Sequence, residues 1–316
     1  MERRVAEFRD QGRIQASSLI TSVFGDAILP RGGRVWLGSL IELLEPLGVN
    51  ERLVRTSVFR LVKDEWLQTE AVGRRTDYML THLGRKRFEE AARHIYAQHS
   101  PPWDRRWRLL TLVGAFEPRE REAVRRSLVW QGFGELQGAL YLHPSADLGL
   151  AAEGLIADGL KGALPRLMPM LGVGLQGLYE GTEDDLVRAA WDLQGLAAHY
   201  EVFVQAYQPI LDALVVSGSQ GVPPQLAFMV RTLLIHDYRK LLLRDPELPD
   251  ELLPRGWAGA TARRTCAEIY RRLCNATDQH LDGVVRLADG SVPERETGQA
   301  ERFAPEAPAA ARLDAL

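Results

Sequence analysis

Leu47-Gly48-Val49-Asn50-Glu51-Arg52-Leu53-Val54-Arg55-Thr56-Ser57-Val58-Phe59-Arg60-Leu61-Val62-Lys63 reads as a helix with a marked start and two chemically opposed faces. Pro46 and Gly48 stop whatever precedes it. Asn50 is placed as an N-cap that accepts an otherwise unpaired backbone N–H, so the stretch predicts a helix from 51 to about 65. Wound at about 100° per residue, it groups Val54, Val58, Leu61 and Val62 on one side. Arg52, Thr56, Phe59, Arg60 and Lys63 gather opposite, with Arg55 and Ser57 on the borders. Arginine pairs bidentately with guanine O6 and N7, while threonine and serine contact bases or phosphates. The face predicts contact with double-stranded DNA through Asn50, Arg52, Arg55, Thr56, Ser57, Arg60 and Lys63. An ordinary solvated helix face is the competing reading.

The flanks decide between these two. Upstream, Leu19, Ile20, Val23 and Phe24 predict a helix over 17–24, Arg31-Gly32-Gly33 a turn, 35–37 an extended piece and 39–44 a second helix. Downstream, 66–70 and 77–80 predict two strands joined by Gly73-Arg74-Arg75, after which Thr81 caps a helix running through Tyr96. Helix, helix, helix, then hairpin is the order of a winged helix-turn-helix. Arg74 and Arg75 at the hairpin tip suit minor-groove or backbone contact. Charge agrees: between Arg31 and Arg87 eleven Lys/Arg face seven Asp/Glu, giving +4 and leaving −7 for the rest of a chain of net charge −3. A basic module on an acidic body is expected when one part alone touches phosphates.

At 316 residues the chain is long enough for two or three domains. Ser100-Pro101-Pro102 ends the first, giving a DNA-binding domain over 1–100. A middle domain over 101–181 holds short apolar runs, and 182–288 is rich in helical periodicity. Residues 289–316, rich in Pro, Ala, Glu and Arg, are expected to be a disordered tail. No internal repeat is visible. Cys266 and Cys274 have no CxxC spacing, which argues against a disulfide framework or structural zinc. No apolar run spans a bilayer and Met1–Gln15 lacks a signal-peptide core, so a cytoplasmic protein with no membrane partner is expected.

In the middle domain, 108–113 predicts a strand, 119–131 a helix and 135–143 a second strand. A weaker helix over 155–171, broken by Pro165 and Pro169, and a short strand at 177–179 follow. A β-α-β start of this size suggests a ferredoxin-like domain, so the fold class is α+β with several domains. Further on, 225–244 is apolar almost all round, as in a buried helix, yet it carries His236, Asp237, Arg239, Lys240 and Arg244. Charges on a buried helix are either paired with neighbouring helices or face a polar cavity. The first reading is a structural ion network. The second is an effector pocket, with Arg239, Lys240 or Arg244 on phosphate and Trp191, Tyr207 or Trp257 as apolar walls.

Phe24-Gly25-Asp26 through Arg31-Gly32-Gly33, Trp36-Leu37-Gly38-Ser39-Leu40-Ile41, and the run from Leu47 to Leu61 resemble the PaaX family, repressors of phenylacetic acid degradation operons. Gly73-Arg74-Arg75, Tyr78-Met79-Leu80-Thr81, Gly84-Arg85, His236-Asp237-Tyr238-Arg239, Arg244-Asp245-Pro246 and Leu252-Leu253-Pro254 extend the likeness over most of the chain. The resemblance implies a homodimeric repressor of operator DNA whose effector is phenylacetyl-coenzyme A; on the pocket reading of the stripe, that effector would sit near His236, Asp237, Arg239, Lys240, Arg244 and Trp257, and no cofactor is expected. It also implies a Cas2-like middle domain, which raises a metal-dependent nuclease as the alternative. The first strand there, Leu109-Leu110-Thr111-Leu112-Val113, offers no carboxylate to a metal. His236-Asp237 is also reminiscent of metal-dependent phosphohydrolases, but His199 and His280 have no supporting motif. No catalytic and no metal-binding residue is expected.

Overall fold

The computed structural model describes residues 1–10, 12, 14–173, 182–296 and 302–303, a mixed α/β chain with two antiparallel sheets. It divides into two compact units: residues 1–98, 203–239 and 262 onward form one, and 99–202 with 240–261 form the other.

The first unit begins with α1 (Glu2–Arg9) and α2 (Ala16–Val23), continues through β1 (Arg34–Trp36) and α3 (Leu37–Leu44), and reaches α4 (Glu51–Lys63). β2 (Leu67–Val72), β3 (Arg75–Leu80) and α5 (His82–Ile95) follow. Strand order is β1-β3-β2, with Trp36 opposite Asp77 and Val72 opposite Arg75. Only Gly73 and Arg74 remain for the turn. Gly73 sits at φ 60°, which a two-residue hairpin loop asks of its first residue and which glycine adopts without steric cost. α4 starts where Asn50 Oδ1 accepts the Leu53 N–H at 2.9 Å, and α5 where Thr81 Oγ1 accepts that of Gly84 at 2.8 Å. Val54, Val58 and Leu61 of α4 are buried with Leu19, Ile20 and Val23 of α2 and Leu40, Leu43 and Leu44 of α3. α1 was not anticipated. It buries only Val5 and Phe8, too short a pattern to stand out in a charged stretch.

The second unit contains β4 (Arg106–Leu112), α6 (Pro118–Trp130), β5 (Gly134–Leu136), β6 (Leu140–His143), α7 (Leu148–Ala157) and β7 (Leu167–Val173). The sheet order β5-β6-β4-β7, antiparallel throughout, is the ferredoxin-like arrangement. Leu110, Val124, Leu128, Phe133, Tyr141 and Leu155 form its core. Two expectations are corrected here. The strand expected over 135–143 is a hairpin, β5 and β6, broken where Gln137 and Gly138 take positive φ. The helix expected over 155–171 is the end of α7, a 3-10 stretch over Lys161–Arg166, and β7. Pro169 sits in β7 because that strand is an edge of the sheet, where a missing N–H is tolerated. The strand expected at 177–179 lies outside the described residues.

α8 (Glu183–Ala190), α9 (Leu193–Ser217), α10 (Pro224–Leu242) and α11 (Ala258–Val284) complete the chain. The division between the two compact units falls inside α9, α10 and α11, with residues 203–239 in the first unit. Of the residues after 289, those described, 290–296 with 302 and 303, include several held against the first unit. Glu296 N–H donates to Pro30 O at 2.8 Å, the Glu296 carboxylate meets Arg85 at 3.0 Å, and Phe303 is fully buried. Among the described residues no helix is long and apolar enough to cross a membrane.

Candidate nucleic-acid interface

α4 lays one flank on α2 and α3 and turns the other outward. Arg52, Arg55, Thr56, Phe59, Arg60 and Lys63 are exposed on the outer flank. Arg55 is paired with Glu51 one turn back at 2.6 Å, and Thr56 Oγ1 donates to Arg52 O at 2.8 Å. Arg52, Arg60 and Lys63 have no ion-pair or hydrogen-bond partner from their side chains among the described residues. Asn50 is exposed, but its side-chain oxygen is engaged in capping. Ser57 is a correction: at 4% exposure it faces the core with Val54, Val58 and Leu61 and cannot reach a ligand. Winding explains this, because Ser57 stands about 40° from Leu61 and about 140° from Arg52.

The hairpin separates its two arginines. Arg74 is exposed and unpartnered among the described residues. Arg75 lies over the Trp36 ring at 4.5 Å and donates to Ala288 O at 3.5 Å, so its guanidinium helps hold the base of the hairpin. Below it, the fully buried Asp77 carboxylate accepts from Arg34 at 2.6 Å and from Ala288 N–H at 2.7 Å. β1 and α3 are tied to the end of α11, since Trp36 N–H donates to Arg286 O at 3.0 Å and Ser39 Oγ to Val284 O at 2.9 Å.

The charged stripe of α10 is for the most part a seam. His236 is buried, with Nδ1 at 3.0 Å from Ser22 Oγ and its ring edge-on to Phe8. Asp237 accepts from Arg4 and, at 2.8 Å, from Tyr207 OH. Arg239 donates to Ser18 Oγ at 2.9 Å. Asp26 and Arg231, which sequence reasoning missed, form a buried pair at 2.9 Å beside Tyr96 OH and Arg302. Burial opposes the Asp26 charge, but Arg231 and Arg302 hold its carboxyl below the usual carboxylate range. The second unit holds the other three expected effector residues. Lys240 and Arg244 are exposed, and Trp257 is half-buried, edge-on to Tyr200 at 5.9 Å. Trp191 is fixed there by its Nε1–H donating to Gly132 O at 2.9 Å.

Three family descriptions match the chain: PaaX-like protein over residues 15–84, PaaX protein central Cas2-like domain over 100–156, and PaaX-like protein C-terminal domain over 191–283. The relative named Transcriptional repressor PaaX from Escherichia coli (strain K12) is 36% identical over 297 residues, covering 92% of this chain and 90% of that one. Among solved structures, the uncharacterized protein Rv0674 from Mycobacterium tuberculosis is similar at 23% identity and a TM-score of 0.48, over 76% of this chain and 89% of that one.

Proposed function

The chain belongs to the PaaX family, and from that premise we propose that it is a transcriptional repressor. In this reading it grips operator DNA through an N-terminal winged helix and releases it when an aryl-acyl-coenzyme A binds. The observation that carries the reading is the outward face of α4, where Arg52, Arg60 and Lys63 stand exposed and unpaired among the described residues. Like charges held together repel unless an anion meets them, and duplex DNA offers one negative charge per ~1.7 Å of axis. α4 enters the major groove, and Arg74 at the hairpin tip reaches the flanking backbone or minor groove. Two copies bind half-sites about one helical turn apart. The name of the Escherichia coli relative supports the same reading.

The genes controlled are those of phenylacetic acid catabolism in the cytoplasm, and the effector is phenylacetyl-coenzyme A. The helical region over 182–288 carries its site. Of the stripe, Lys240 and Arg244 are the exposed cations offered to phosphate, with Trp257 as an apolar wall. The central Cas2-like domain acts as a scaffold and not as an enzyme, because β4 carries no carboxylate to hold a metal. A gel shift with the DNA upstream of this chain's own gene tests the reading, titrated with phenylacetyl-coenzyme A, phenylacetate and coenzyme A. Binding released by the thioester alone is expected. No shift overturns the DNA assignment, and a shift insensitive to all three overturns the effector.

A further inference from the structure

We propose that Phe59 is a base-reading residue of α4, packing on the 5-methyl group of thymine in the major groove; this rests on the DNA-binding reading above. At 69% exposure it is among the most exposed large apolar side chains in the protein. Its position makes that exposure informative. Measured round the helix from Arg52, the buried Val54, Ser57, Val58 and Leu61 centre near 190°, while Arg52, Thr56, Phe59 and Lys63 fall within about 60° of one another on the opposite side. Phe59 therefore lies within about 30° of the midline of the outward face, between the unpaired Lys63 one turn on and Arg52 two turns back.

A helix lying in a groove points its midline at the base edges and its borders at the phosphate walls. A phenyl ring at the midline has no hydrogen bond to offer. The one apolar feature in the major-groove code is the thymine methyl, which phenylalanine is suited to contact. The same flanking cations argue against a second copy of this chain as the occupant. A two-fold contact sets a patch against itself and would bring this basic face, with Arg52, Arg55, Arg60 and Lys63, against another of the same sign.

The test is a coupling cycle. Wild-type chain and Phe59→Ala are titrated against the upstream DNA with each thymine of the protected region replaced in turn by deoxyuridine, which removes only the methyl. At one or more positions the wild type is expected to lose about fourfold in affinity, the worth of burying one methyl group, while Phe59→Ala is indifferent to the same replacement. Phe59→Ala should bind random-sequence duplex as the wild type does, with an unchanged salt slope, since no phosphate contact is removed. Because the side chain is exposed, circular dichroism and Tm should not change. Equal sensitivity of both proteins to every replacement overturns the inference and leaves the DNA reading standing. So does a Phe59→Ala protein that binds operator normally but dimerises more weakly, which would place the ring against a second copy. Failure of the wild type to bind any of the DNA overturns both.

Discussion

His143 closes β6 with its ring held between backbone groups: Nδ1 accepts the N–H groups of Ser145 and Ala146 at 3.0 and 2.8 Å, which leaves Nε2–H to donate to Pro246 O at 3.1 Å. Burial opposes the charged imidazolium, and a proton on Nδ1 would also break two of these bonds, so the pKa is pushed down to about 4 from 6.5. The folded state then binds fewer protons than the unfolded state between those values. Stability is full above pH 6.5 and falls as pH drops towards 4, by about 3 kcal/mol in all. Urea unfolding across this window should show His143→Gln with a shallower pH dependence than the wild type; equal slopes would remove His143 as the cause. Two neighbours on α4 separate in the same residue-level way. Arg60→Ala should weaken operator binding by about 1–3 kcal/mol. Ser57→Ala should leave the intrinsic affinity of folded protein nearly unchanged, because Ser57 is buried on the far side of the helix. A gel shift on both variants decides, and a large loss with Ser57→Ala would mean that α4 meets DNA through a different face.

At the scale of elements, legibility followed the range of the signal. α4, the hairpin and α5 could be read in advance because Asn50, Gly73 and Thr81 act within three residues of themselves. The α10 stripe was visible as charge on a buried helix, but its partners were not: Arg4, Ser18 and Ser22 lie more than 200 residues earlier in the chain. β7 was misread as helix because Pro165 and Pro169 look alike in sequence, and only its place at the sheet edge shows why Pro169 is tolerated. Composition after 289 hides individual anchors, since Phe303 and Arg302 join Glu296 in holding described residues of that stretch to the first unit. Phe303 lies 5.2 Å from the Tyr96 ring and 5.3 Å from that of Tyr270. Arg302 stacks over Tyr96 at 4.3 Å and donates to Gly25 O at 2.8 Å and Asp26 O at 2.7 Å. Emptying such a site costs about 3–5 kcal/mol. Phe303→Ala should therefore lower unfolding stability by that order, and Phe303→Leu by less. A Phe303→Ala protein as stable as the wild type in urea would show that the segment contributes nothing to the unit.

For the whole molecule the proposed function raises the question of how an effector on the C-terminal helices would be felt at α4. The first unit answers part of it, because α10 reaches the N-terminal module through His236–Ser22, Arg239–Ser18 and Arg231–Asp26, and the end of α11 reaches β1 and α3 through Arg286 and Val284. A ligand that shifts α10 or α11 must break these bonds or carry α2 and the sheet with it, so the module and the helices respond together. Such a system obeys linkage. If phenylacetyl-coenzyme A weakens operator binding by a factor set by ~1–3 kcal/mol of coupling, the operator must weaken binding of the thioester by the same factor. Calorimetric titration of phenylacetyl-coenzyme A into the chain, alone and saturated with operator duplex, measures the second factor, and gel shifts measure the first. Equal factors are expected. A thioester affinity indifferent to operator, beside a gel shift that the thioester abolishes, would mean that release occurs by some route other than differential binding to the two states. The coupling should also shrink in Ser22→Ala, which removes the hydroxyl His236 meets, even though Ser22 belongs neither to the proposed DNA face nor to the exposed cations at the end of α10. Undiminished coupling in that variant would take the His236–Ser22 contact out of the path between the two sites.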